Sequence, residues 1–158
     1  MHRRSLRLRC AGAWALCAGW MSFIFLMSAM PGDVSGAQSG TVVRILLALL
    51  DALPGRIELS ANALSRLELL GRKAAHMTEY AILFFLLSFS LRQSGARRIH
   101  LKALLLCACY AATDEWHQSF VGGRGPSIVD VGIDTLGAAL ALCVQALAAH
   151  VWKRRKRT

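Results

Sequence analysis

Residues 10–30 run for 21 positions without a charge, and further apolar runs follow at 74–91, 103–113 and 128–152. At 1.5 Å of rise per residue, roughly 20 apolar residues in a helix cross the ~30 Å hydrocarbon core of a bilayer. Inside that core no water satisfies backbone N–H and C=O groups, and runs of this length meet the demand as α-helices, whose hydrogen bonds close within the segment. The second run is broken by His76 and Glu79 near its start, and the fourth carries Asp130 and Asp134 near its start. The third is short by itself and reaches spanning length with 99–102 before it and 114–118 after it. The expectation is an all-α polytopic membrane protein, one domain over 1–158, with four transmembrane helices at 10–30, 74–91, 99–116 and 128–152.

The composition agrees. Hydrophobic residues make up 55% of the chain and mean hydropathy is +0.43, high for a soluble domain. The net charge of +10 sits in short clusters flanking the apolar runs and no nucleic-acid motif accompanies it, which excludes nucleic acid as the partner. Five cysteines, an odd number, occur in or beside apolar runs with no CxxC. They read as small apolar fillers, neither a disulfide framework nor a zinc knuckle.

Lys and Arg set the orientation. The N-terminal segment (Arg3, Arg4, Arg7, Arg9), the second-to-third connection (Arg92, Arg97, Arg98, Lys102) and the C-terminus (Lys153, Arg154, Arg155, Lys156, Arg157) hold 13 of 19 basic residues. An even number of spans puts all three on one side, and positive-inside bias makes that side cytoplasmic. Segment 31–73 and the 114–127 loop are then extracytoplasmic, in a multi-pass protein of the bacterial inner membrane. Ser35-Gly36-Ala37 offers a small-x-small cleavage site, but the first apolar core exceeds the 7–15 residues of a signal peptide, so it is read as a retained span. Within 31–73, Pro31-Gly32-Asp33 opens a loop. The aliphatic stretch 41–53 is too short to span and is read as an interfacial or re-entrant helix, stopped by Pro54-Gly55. Ser60 caps a second helix through Leu70, with Leu64, Leu67 and Leu70 at helical spacing.

A charge at mid-bilayer costs roughly 2.5–3.5 kcal/mol on insertion scales, so repeated ionisable residues at the same end of three runs call for a function. On the second span Lys73, His76 and Tyr80 fall within about 60° of one another, with Glu79 about 60° beyond His76. On the third, Tyr110, Asp114 and Gln118 share a face, with His117 close to it. On the fourth, Ser127, Asp130, Asp134, Gly137, Ala141, Gln145 and Ala148 form a polar-then-small stripe suited to close helix packing. Each has a plainer account: a snorkelling Lys73, a hydrogen-bonding His76, an interfacial Tyr80, a capping Asp130, an Arg124 that only offsets a carboxylate. For Trp116 the interfacial account is the better one.

Lys73-x-x-His76-x-x-x-Tyr80, Asp114-Glu115-x-x-Gln118-x-Phe120-x-x-x-Arg124 and Asp130-x-x-x-Asp134-x-x-Gly137 occur in this order, each at a helix end. Over about residues 15–150 the chain resembles the VanZ-like family of small bacterial membrane proteins. The resemblance implies an envelope or resistance role, since the founding member is linked to low-level resistance to teicoplanin, a glycopeptide acting on lipid-linked cell-wall precursors. It implies no particular reaction. Asp134 stands where the family has Asn or Asp, and Ala141 where it often has a second glycine.

Three readings of the chemistry stay open. In the first, an outer-face site binds or acts on an anionic lipid head group or a lipid-linked cell-wall precursor. Lys73 and Arg124 hold the anion, with Tyr80, Gln118, Asp130 and Asp134 completing the binding set, and Glu115 or Asp114 moves protons with help from His76. This reading needs no cofactor or metal. In the second, Asp114, His117, Asp130 and Asp134 hold a divalent metal. In the third, the protein shields or modulates the envelope without chemistry. The residues do not decide whether the site is catalytic, and a homo-oligomer stays open.

Overall fold

The computed structural model describes residues 2–31, 60–123, 125 and 127–156, together with positions 40, 41, 43, 45, 47 and 48. Among these residues the fold is all-helical. Four helices are described over their whole length: α1 (His2–Ser28), α2 (Ala61–Gln93), α3 (Ile99–Gln118) and α4 (Ile128–Arg155). Three of them, α1, α2 and α4, are long and apolar enough to cross a membrane. The third helix holds Lys102, Asp114 and Glu115 within its 20 residues, which dilutes its apolar character.

Two of the expected boundaries shift. Ser60 does cap a helix, its side chain accepting from the N–H of Ala63 at 3.3 Å. That helix does not end near Leu70, however. It runs through Gly71-Arg72-Lys73 into the apolar run and reaches 33 residues, about 50 Å at the α-helical rise. One helix-interior glycine costs about 1 kcal/mol against alanine, too little to break a helix held by packing. A Cβ at Gly71 would lie 3.6 Å from the Val43 side chain, and Val43 is itself buried. The described positions between 40 and 48 are helical, as expected for the first part of the aliphatic stretch. Its Pro54-Gly55 stop and the 32–39 loop lie outside the described residues.

The end of α2 is set by local chemistry. Gly95 takes the left-handed conformation (φ 68°). The N–H of Ala96 reaches the Leu91 carbonyl at 3.0 Å and the N–H of Gly95 the Arg92 carbonyl at 3.1 Å, a Schellman closure. Three residues later Arg98, also left-handed (φ 52°), leads into α3.

Helix α2 is the centre of the bundle and packs against the other three. Its Tyr80, Phe84, Leu87 and Leu91, one helical stripe, meet Cys17 and Ile24 of α1, Ala103, Cys107 and Ala111 of α3, and Ala138 and Ala141 of α4. The apolar part of the buried faces of α3 and α4 is made of small residues, which lets the backbones approach. The helices come close at Gly137, where an added Cβ would run into the backbone carbonyl of Met77. Large apolar side chains such as Leu16, Leu26, Phe89, Leu105, Leu140 and Leu147 point outward. For a soluble protein this much exposed apolar surface would be a liability, and for a bilayer protein it is the lipid-facing belt.

Candidate functional site

The polar residues singled out in the sequence gather at one end of the bundle, where α4 begins, α1 and α3 end and α2 enters its apolar run. A cavity of about 150 Å³ opens at this end. Lys73 and His76 of α2, Glu115 and Gln118 of α3, and Asp130 and Asp134 of α4 all line it. Arg72, which the sequence reading passed over for its neighbour, lines it too.

Asp114 lies behind the cavity and is 2% exposed. Its Oδ2 accepts from the hydroxyl of Ser28 at 2.7 Å and from Gln118 Nε2 at 3.1 Å. Gln118 Nε2 also lies 3.4 Å from Ser28 Oγ. One turn earlier on the same face, the Tyr110 hydroxyl donates to the Met21 carbonyl at 2.6 Å. The face inferred from i, i+4 spacing is therefore the seam between α3 and α1. Asp114 Oδ1 is buried and has no hydrogen-bond partner among the described residues.

Glu115 is buried as well, and its Oε2 accepts from the backbone N–H of Ser127 at 2.9 Å. Ser127 in turn caps α4, its side chain accepting from the N–H of Val129. The end of α3 and the start of α4 are thus tied together through one carboxylate. Lys73 forms an ion pair with Asp130, and both are partly exposed. Such pairs contribute about 0–1 kcal/mol, so this one can open to an incoming anion at little cost. His76 Nδ1 faces Glu79 Oε2 at 3.4 Å.

Two expected members stand apart. Tyr80 is fully buried in the core cluster, its ring 6.1 Å from that of Tyr110, and does not line the cavity. Its hydroxyl has no hydrogen-bond partner among the described residues. Arg124 lies outside the described residues. The expected metal set is also rearranged: His117 packs on the Phe25 ring at 4.1 Å and Asp130 is taken up by Lys73. The group whose ligand atoms approach within 4.8 Å of one another is His76, Asp114 and Asp134. Trp116 is 68% exposed and packs edge-on against Phe120. On α4 the polar-then-small stripe is buried through Asp134, Gly137 and Ala141 but fades to exposed surface by Ala148.

Ser28 is the member that sequence reasoning missed. It is fully buried and holds the Asp114 carboxylate, yet it is an ordinary serine at the end of an uncharged run.

Long apolar helices around a polar end-cavity define the chain as a small integral membrane protein. No curated protein and no solved structure matches it. The family model described as VanZ/LLP1 matches residues 13–149, nearly the whole chain, and the protein belongs to that family.

Proposed function

We propose that this VanZ-family protein crosses the bacterial inner membrane four times and uses its end-cavity, on the outer side, to bind or act on an anionic lipid head group or a lipid-linked cell-wall precursor. A role in envelope protection, including resistance to teicoplanin, follows from that activity. In this arrangement α3 is the remaining span, since 20 residues at 1.5 Å measure about 30 Å. The segment between the first two spans is extracytoplasmic and the basic termini are cytoplasmic.

The observation that carries this reading is the cavity itself, where side chains from three helices converge. Its volume is well below the roughly 300–1,000 Å³ of pockets for drug-sized ligands. It suits a phosphate or another head-group fragment, with acyl chains left in the bilayer. Lys73 exchanges Asp130 for the anion, and Arg124 and Gln118 join it. Tyr80, buried beneath, supports the wall. Glu115 moves a proton, with His76 and Asp114 behind it, and Asp134 completes the inner wall.

A second reading, a binding or shielding protein without chemistry, draws on the hydrogen bonds that already engage Asp114 and Glu115 in the framework. Mass analysis of envelope lipids separates the two. Cells carrying the wild-type protein are compared with cells lacking it and with cells carrying Glu115→Gln at equal protein level. A lipid species that appears or disappears with the wild-type protein, and not with Glu115→Gln, is expected for chemistry. An unchanged lipid profile with altered glycopeptide binding to cells is the result expected for a shield. No change in either measurement contradicts both.

A further inference from the structure

We propose that His76, Asp114 and Asp134 form a binding site for one divalent transition-metal ion, of the zinc or manganese type, at the inner wall of the cavity. Each residue comes from a different helix, and one ligand atom from each lies within 4.8 Å of the other two. Around an ion with ligand bonds of 2.0–2.2 Å, ligand atoms sit about 3.3–3.6 Å apart. Small side-chain rotations close the difference. One imidazole and two carboxylates suit zinc or manganese better than calcium or magnesium, whose sites are all oxygen. Three protein ligands leave a coordination position open, as in catalytic sites. His76 and Asp134 both line the cavity, so an ion held by them is reachable from that space.

A second observation points the same way. Asp114 is 98% buried by its exposure of 2%. Ser28 and Gln118 satisfy Oδ2, while Oδ1 has no hydrogen-bond partner among the described residues. A buried acceptor left in that condition is unfavourable, more so when charged, and a cation bound there removes the deficit. Lys73, the lysine that lines the cavity, is paired with Asp130. His76 Nδ1 lies 3.4 Å from Glu79 Oε2 with no hydrogen bond between them, so a small ring rotation would give the carboxylate–histidine contact that orients metal-bound imidazoles.

This inference does not depend on the lipid reading, because the ion needs no lipid to bind. The test uses the full chain, purified in detergent through a tag without histidine, stripped with chelator and reloaded with cobalt(II), zinc(II) or manganese(II). Metal is measured by elemental mass spectrometry, and cobalt also by its visible absorption. About one metal per chain is expected for the wild type and for the control His150→Gln, which lies outside the site. His76→Gln and Asp134→Asn are expected to weaken binding by more than ~10-fold while circular dichroism shows retained helix. If both variants fail to fold, the wild-type cobalt spectrum decides. Absorption of a four- or five-coordinate ion supports the site, and the weak spectrum of hydrated cobalt overturns it. No uptake by the wild type, or uptake unchanged in the folded variants, also overturns it and leaves a protonated carboxyl pair as the occupant of the wall.

Discussion

Ser28 and Asp114 make a buried side-chain hydrogen bond between α1 and α3, and they are 86 positions apart in sequence. Removing the hydroxyl with Ser28→Ala leaves a buried carboxylate oxygen with only Gln118 as partner. A buried group stripped of a partner loses about 1–3 kcal/mol, and hydrogen bonds to charged groups lie toward the upper part of that range. Ser28→Ala is therefore expected to lower the thermal midpoint of the purified protein in micelles, whereas Ser22→Ala, an exposed serine bonded to its own helix backbone, is expected to leave it unchanged. Equal midpoints for the two variants would contradict the buried contact. At this scale the sequence is informative where polar residues are costly. Asp114, Glu115 and Asp134 stand out because a membrane helix rarely carries them. Ser28 does not stand out, because a serine can satisfy its own hydroxyl on a helix backbone and so carries no signal of a partner in another helix. Tyr80 illustrates the converse: a shared stripe with Lys73 and His76 is real, but the helix buries its tyrosine one turn deeper, in the core.

Among the elements, the pairing of α2 with α4 depends on Gly137 meeting the Met77 backbone. A methyl group there forces the helices apart and shifts Asp134, one turn away, relative to His76. Gly137→Ala is expected to destabilise the protein by about 1–3 kcal/mol, the usual cost of overpacking. Gly132→Ala on the same helix meets open space and is expected to be neutral or stabilising by up to ~1 kcal/mol through helix propensity. Unfolding of the two variants in a denaturant series checks the contrast. If Gly132→Ala proves the more harmful, the packing of α4 is misassigned. The stripe of α4 was legible because small residues recur at helical spacing with the carboxylates at its head. The continuity of α2 was not. Gly71-Arg72-Lys73 looks like a boundary in composition, but one glycine costs only about 1 kcal/mol in a helix interior, too little to end it. Nor could spacing alone say which face of α3 meets which neighbour.

Across the whole molecule, the outward-facing leucines and phenylalanines and the inward polar end together make a membrane protein of the VanZ/LLP1 family. Hydropathy exposes this organisation directly, because the bilayer enforces length and polarity on every span. It resolves α3 least, since the residues that build the site also lower that helix's apolar character. The site and the topology stand together: the cavity faces the outer leaflet only if α3 crosses and the basic segments remain inside. The most direct measurement is labelling of intact cells with a membrane-impermeant thiol reagent, using Gly122→Cys in the exposed turn after α3, Arg154→Cys in the basic C-terminal segment, and the wild-type chain as the blank. With the cavity outside and the basic segments inside, Gly122→Cys is expected to label in intact cells and Arg154→Cys only after the membrane is permeabilised. Labelling of Arg154→Cys from outside, with Gly122→Cys protected, would contradict that topology.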